Sequence, residues 1–101
     1  MDKLLKIGIS EETIDKMIEV NDIFPVEDLN EDYTNTYKII GTLKEIKVDD
    51  EAIDMLLINF IDLFLMDYDD FTAKLKGKDL TDVANRINYD LTAVEEIFLG
   101  E

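Results

Sequence analysis

The chain has 101 residues, with 25 aspartates and glutamates against 10 lysines and arginines, which gives a formal net charge of −15 at pH 7. Hydrophobic residues make up 47% of it, so we expect one folded domain rather than a disordered acidic tail. Cysteine and histidine are both absent, which removes disulfides, thiol nucleophiles, thiolate metal sites and imidazole bases. Composition therefore favours a binding role over catalysis.

Apolar residues recur at spacings of three and four, and the chain has one proline and four glycines, so the sequence predicts an all-α fold. The first clear helix is expected to begin after Ser10, whose side chain can cap it, and to end before Pro25. A second helix is predicted from about residue 31 to residue 46. Its buried side is predicted to include Tyr33, Tyr37, Ile40 and Leu43, widened by Ile39 and Ile46.

A third helix is predicted to begin after Asp49 as its capping residue and to bend or end near residues 59–62. A fourth is predicted to begin after Asp67. Two shorter helices complete the chain, one over about residues 80–87 and one after Asp90. The prediction is a compact stack of about five to six short helices in a single acidic domain over residues 1–101.

When the sequence is aligned with itself at a shift of 39 residues, the matches indicate an internal repeat. The pairs that become identical are Leu4 with Leu43, Ile7 with Ile46, Glu12 with Glu51, Ile14 with Ile53 and Asp15 with Asp54. A period of this size is typical of helical-repeat proteins. We therefore expect roughly two helical-hairpin units, over about 4–42 and 43–81, followed by C-terminal helices over 82–99.

The segment Leu43–Phe60 resembles the unit of the mitochondrial transcription termination factor repeat family, and Leu4–Ile18 resembles a second copy. The resemblance implies a short stack of helical hairpins. The chain departs from the family pattern at Lys47, which replaces the turn glycine, and at Phe60, which replaces the proline of the helix break. Family members that bind nucleic acid do so through a basic groove, whereas this chain has a large net negative charge. The resemblance therefore implies a similar fold and assigns no residue to contacts with nucleic acid.

Acidic residues are concentrated in two blocks. Between Val48 and Ala73 there are eight acidic residues and no lysine or arginine, and between Met17 and Tyr37 there are six more, again without a basic residue. We expect both blocks at corresponding helix starts, along one edge of the stack. The predicted partner-binding surface, here called the acidic face, comprises Asp49, Asp50, Glu51, Asp54, Asp67, Tyr68, Asp69 and Asp70, with Tyr68 as an aromatic contact.

Several catalytic and metal-binding alternatives fit the sequence poorly. Asp67 and Asp69 match the first ligands of an EF-hand loop, but Thr72 replaces its glycine and Lys78 its bidentate glutamate. The one serine, Ser10, lacks the Asp-Ser-Leu context of acyl carrier proteins. We predict no catalytic residue, no metal site and no cofactor, although a hydrolase that uses only carboxylates and a metal stays open as a third hypothesis.

The sequence therefore predicts a non-enzymatic, intracellular (cytoplasmic) binding protein. Its expected partner is a protein with a basic surface, such as a nucleic-acid-binding protein that it could inhibit as a nucleic-acid mimic. Direct binding to nucleic acid or to a membrane is not expected, because phosphate contacts need lysine or arginine. The alternative is a helical-repeat scaffold or accessory subunit that binds its partner through an apolar groove, with the charge serving solubility.

Overall fold

The computed structural model describes residues 1–100. Over these residues the chain is entirely helical apart from its turns and loops, which confirms the predicted all-α class. The helices are α1 (Asp2–Lys6), α2 (Glu11–Asn21), α3 (Ile23–Glu31), α4 (Tyr33–Glu45), α5 (Asp50–Asn59), α6 (Asp62–Leu65), α7 (Tyr68–Leu75), α8 (Leu80–Tyr89) and α9 (Ala93–Ile97).

The predicted number of five to six helices is too low, because the described residues form nine. Helix α2 ends at Asn21, before Pro25 as expected, but α3 begins at once and contains Pro25 in its first turn. Proline is tolerated there because the first N–H groups of a helix have no partner within it. Helices α1 and α6, of five and four residues, were also not predicted.

The buried side of α4 differs from the prediction. Its buried residues are Thr36, Ile39, Ile40 and Leu43. Tyr37 is 57% exposed, so the prediction that it is buried is wrong. The Thr36 hydroxyl is satisfied by the carbonyl oxygens of Leu29 and Asp32, both at 3.4 Å. Thr36, a polar residue, is therefore buried in α4, whereas the neighbouring Tyr37 is exposed.

One hydrophobic cluster runs through the molecule, from Leu4 in α1 to Phe98 beyond α9. At its C-terminal side the rings of Phe71 and Phe98 stack with centroids 4.8 Å apart. The radius of gyration of 12.7 Å is close to the ~13 Å expected for a folded chain of about 100 residues.

Two turns of the chain have the same geometry and lie at equivalent positions of the two predicted units. After α1, Gly8 has φ +100° and the N–H of Ile9 donates to the Leu4 carbonyl at 3.1 Å. After α4, Lys47 has φ +80° and the corresponding Val48–Leu43 bond is 2.9 Å. Both are Schellman-type helix ends. The helices that follow these turns, α2 and α5, pack against each other.

Candidate functional site

Four residues of the acidic face lie at the start of α5. Asp49 precedes the helix, Asp50 and Glu51 are in its first turn, and Asp54 is one turn further along. All four are exposed. The Asp49 side chain accepts no hydrogen bond from the helix, so the predicted capping role of its carboxylate is wrong. The Asp49 N–H instead donates to Oδ1 of Asn88 at 2.8 Å.

The carboxylates of α5 are close enough to disturb one another. Partial burial raises the pKa of Asp54 above its ordinary value, and the negative charge of Asp50 raises it further. Lys44 lowers this pKa and Glu51 raises it again, so the single nearby lysine only partly offsets the effect of the acidic neighbours. The start of α5 therefore carries negative charge that the protein does not fully balance.

The other three carboxylates of the acidic face lie at the start of α7. Asp67 caps this helix, since its Oδ2 accepts the N–H of Asp69 at 3.3 Å. Asp69 and Asp70 occupy the first turn, where they interact favourably with the helix dipole. All three residues are exposed. Asp69 and Asp70 are thus free of a capping role, whereas Asp67 also helps to begin the helix.

Tyr68 connects α7 to α4. Its hydroxyl lies 2.8 Å from Oγ1 of Thr42, and its ring stacks on Phe71 with centroids 6.3 Å apart. Its N–H donates to Oδ1 of Asn35 at 2.7 Å, and the ammonium of Lys38 lies 5.8 Å from the ring centroid. Tyr68 is partly buried. The structure therefore gives it a role in helix packing, in addition to any contact with a partner.

Lysines of the α4 segment lie beside the acidic residues of α5. Asp49 and Asp50 line a shallow depression together with Lys44 and Lys47. Asp50 and Asp54 line a cleft of about 230 Å³ that also includes Lys44. The stretch of sequence that holds these acids has no basic residue, yet in space it is bordered by lysines. The acidic face is consequently not uniform in charge on its α4 side.

Sequence reasoning missed a second concave surface, here called the α4 groove, of about 350 Å³. Its lining includes Ile7, Tyr37, Lys38, Ile40, Gly41 and Lys44. Tyr37 also lines an adjoining depression with Lys6 and Tyr33. The groove was missed because Tyr37 was assigned to the core; the lysines of α1 and α4 were the signal that could have revealed it.

Most carboxylates of the described chain are exposed and unpaired. Every aspartate and glutamate among residues 1–100 is exposed except Glu95, which is partly buried. Ion pairs within this range are formed only by Lys16 with Glu12 and by Arg86 with Glu96. The lysines that border the α4 groove are not among them.

The second acidic block, between Met17 and Tyr37, lies along the end of α2 and through α3. The prediction that it occupies a helix start equivalent to that of α5 is therefore wrong. The reason is α3, which the sequence did not reveal and which takes up most of this block.

Comparison of the chain with protein-family models, with curated protein sequences and with solved structures finds no match. Within residues 1–100 no three carboxylates converge on a point where they could hold a metal ion. None of the helices described is long and apolar enough to cross a membrane.

Proposed function

We propose that this protein is a non-enzymatic binding module that occupies a basic surface of a protein partner through its acidic face. The observation that supports this most directly is the set of exposed carboxylates on α5, which lack ion-pair partners within the described chain. The raised pKa of Asp54 is consistent with it, because after partial burial its next cause is the negative charge of Asp50.

A basic partner would gain from this arrangement in two ways. Lysine or arginine of the partner would relieve the repulsion among Asp50, Glu51 and Asp54. The net charge of −15 would attract a positive surface over a distance of about 10 Å at ordinary salt, which speeds association. The helices that carry these acids are packed on the core, so binding would not require the surface to become ordered first.

Mimicry of nucleic acid is a specific form of this function. Residues three or four apart on a helix have Cβ atoms about 5–6 Å apart, so Asp50, Glu51 and Asp54 place several negative charges close together along one side of α5. A nucleic-acid strand likewise carries closely spaced negative charges, with phosphates about 3.4 Å apart in axial projection. A protein that binds nucleic acid through a basic groove is therefore the partner we propose first. Inhibition would follow from occupation of that groove.

We also propose that residues 4–81 comprise two copies of one helical-hairpin unit, in line with the resemblance to the termination factor repeats. The matching turns at Gly8 and Lys47 and the packing of α2 against α5 support this. In such an arrangement the acids of α5 lie at the start of the second helix of the second unit, where the equivalent helix of the first unit begins with Glu11 and Glu12.

The test is an affinity capture from a lysate of the native host, with the protein compared to a variant in which the α5 acids are neutral. This α5 variant carries Asp50→Asn, Glu51→Gln and Asp54→Asn. The control variant removes the same number of charges elsewhere, through Glu11→Gln, Asp15→Asn and Asp82→Asn, all of them exposed residues. The two variants have the same net charge, so they separate a localised surface from general acidity.

We expect the natural protein to capture a nucleic-acid-binding protein that added DNA or RNA displaces. The control variant should retain it and the α5 variant should lose most of it. Equal capture by both variants, or a partner that neither salt nor nucleic acid releases, would contradict the proposal.

A second candidate function is a scaffold or accessory subunit that binds through the α4 groove. The observation in its favour is the exposed Tyr37 beside Ile7 and Ile40 in a concave surface. In this case capture should survive high salt and should be lost in Tyr37→Ser, a substitution that the exposure of Tyr37 makes compatible with folding. The α5 variant would then behave like the natural protein.

A further inference from the structure

Three large apolar side chains are exposed where α2 meets α3. Val20 is 56% exposed, Ile23 40% and Phe24 71%. None of them is among the buried residues of the hydrophobic cluster. The chain has five phenylalanines, and Phe24 alone is exposed, since the others are buried or partly buried. We call residues Val20–Phe24 the α2–α3 corner.

Contacts on both sides fix the position of the α2–α3 corner. The side-chain amide of Asn21 donates to the Ile58 carbonyl at 2.7 Å and to the Met17 carbonyl at 3.0 Å, which fixes the end of α2 against α5. On the other side, Val26 and Leu29 anchor α3 in the core. Phe24 is therefore presented outward from two fixed helices.

The backbone between the two helices is strained. Asp22 has φ +74° and ψ 168°, a conformation that residues other than glycine rarely adopt. Its Oδ1 accepts the N–H of Ile23 at 2.8 Å. Ile23 and Phe24 follow this turn directly, as the first two residues of α3, and both are exposed.

The surroundings of the corner are wholly acidic in sequence. The segment between Met17 and Tyr37 contains no lysine or arginine, and its six acidic residues are all exposed. They are Glu19, Asp22, Glu27, Asp28, Glu31 and Asp32. Neither of the ion pairs of the described chain involves them. A large exposed aromatic residue with exposed carboxylates on both sides of it in the chain is complementary to an apolar pocket that is rimmed by lysine or arginine.

We propose that the α2–α3 corner is a docking surface in which Phe24 enters an apolar pocket of a basic protein partner, while the surrounding carboxylates pair with lysine or arginine at the pocket rim. The inference rests on the proposed function and adds to it a specific anchor. Large aromatic residues that become fully desolvated in a pocket account for much of the affinity of protein interfaces, with charged rim residues contributing mainly to steering.

The experiment uses the full chain and two synthetic helical peptides as probes. The first peptide has leucines along one side of the helix and lysines on the other, and the second has the leucines replaced by serines. Backbone amide shifts of isotope-labelled protein show where each peptide binds, and the titration gives its dissociation constant. Phe24→Ser is compared with Tyr89→Ser, because Tyr89 is an even more accessible aromatic residue, 93% exposed, at the end of α8.

We expect the leucine and lysine peptide to shift the amides of Val20–Phe24. Phe24→Ser should weaken its binding by about tenfold or more, as for an interface anchor, and Tyr89→Ser should leave it unchanged. Ile23→Ser gives an independent check and should weaken binding as well. The serine and lysine peptide should bind more weakly than the leucine peptide and should lose little affinity on Phe24→Ser.

Other outcomes would overturn the inference, and they separate it from the proposed function. Binding that shifts the amides of α5 or α7 and is unaffected by Phe24→Ser would remove the anchor but leave the acidic face as a binding surface. Equal loss in Phe24→Ser and Tyr89→Ser, or equal affinity for the two peptides, would also overturn the anchor. If neither peptide bound anywhere, both proposals would fail.

Discussion

Gly8 and Lys47 occupy the same position in two equivalent turns, yet only one of them is glycine. Both residues have a positive φ, and glycine alone adopts that conformation without conflict between its side chain and its own backbone. The space that a Cβ would occupy at Gly8 is open, so the cost of a side chain there would come from the backbone alone. The exchange of the two residue types should therefore have opposite effects at the two turns.

We predict that Lys47→Gly raises the free energy of unfolding by about 1 kcal/mol and that Gly8→Ala lowers it by a similar amount. Chemical denaturation measures both, with an unchanged denaturant dependence showing that the unfolded state is not altered. Effects of the same sign at the two positions would contradict the equivalence of the turns.

The raised pKa of Asp54 predicts how the stability of the protein depends on pH. Because its pKa is raised in the folded protein, mainly by partial burial and by Asp50, the folded state holds this proton more tightly than the unfolded state does. Asp54 therefore lowers stability as the pH rises from the ordinary value of 3.8 through the raised pKa, and the loss is complete at neutral pH. Asp54→Asn should raise the melting temperature at pH 7 relative to the natural protein, and the gain should shrink below pH 3.8. A gain that was independent of pH would point to packing instead of charge.

The local chemistry of single residues was predicted well where it depends on neighbours in the chain. Ser10 caps α2 as expected, with its Oγ accepting the N–H of Thr13 at 3.1 Å. The role of Asp49 was missed because the partner of its N–H, Asn88, is distant in sequence. The exposure of Tyr37 was missed for a related reason, since the core position went to Thr36 through contacts with another helix.

Two asparagines hold helices together in the same way. The side chain of Asn35 in α4 donates to the Met66 carbonyl and accepts the Tyr68 N–H, both at 2.7 Å, so it bridges the residues on either side of Asp67. Asn88 in α8 does the same around Val48, donating to the Lys47 carbonyl at 3.0 Å and accepting the Asp49 N–H at 2.8 Å. Each amide thereby fixes the backbone at the start of a helix that carries part of the acidic face.

We predict that Asn35→Ala and Asn88→Ala each lower the free energy of unfolding by about 1–2 kcal/mol, because two backbone groups lose their partner in each case. Asn85→Ala is the matched control, on an exposed position of the same helix as Asn88. Denaturation curves that do not distinguish Asn88→Ala from Asn85→Ala would show that the bridge contributes nothing.

Most of the long helices were predictable, but α3 was missed although it has nine residues, and of the short helices only α9 was predicted. Helices α2, α4, α5, α7 and α8 have eight or more residues and show apolar residues at helical spacing, so their existence could be inferred from the sequence. Helix α1 depends on Asn30, whose Oδ1 accepts the N–H groups of Lys3 and Leu4 at 3.1 and 3.2 Å. A contact between residues so far apart in the chain cannot be inferred from local sequence. The position of Lys44 and Lys47 beside the acids of α5 could not be inferred either.

The charge of the entire protein has opposite consequences for folding and for the proposed binding. Exposed carboxylates repel one another in the folded state, and dissolved salt screens that repulsion. We predict that the melting temperature rises as sodium chloride is increased from about 0.05 to 0.5 M, a range in which the screening length falls from about 14 to 4 Å. A melting temperature that fell with salt would mean that attractive pairs dominate the surface.

Binding to a basic partner should respond to salt in the reverse direction, and this is the measurement we would make on the captured protein. The dissociation constant should increase steeply with salt for the natural protein and for the control variant, and less steeply for the α5 variant, because fewer charge contacts remain to be screened. The proteins would be compared at the same salt concentrations by calorimetry. If all three showed the same dependence, or none at all, the acidic face would not be the surface that binds the partner.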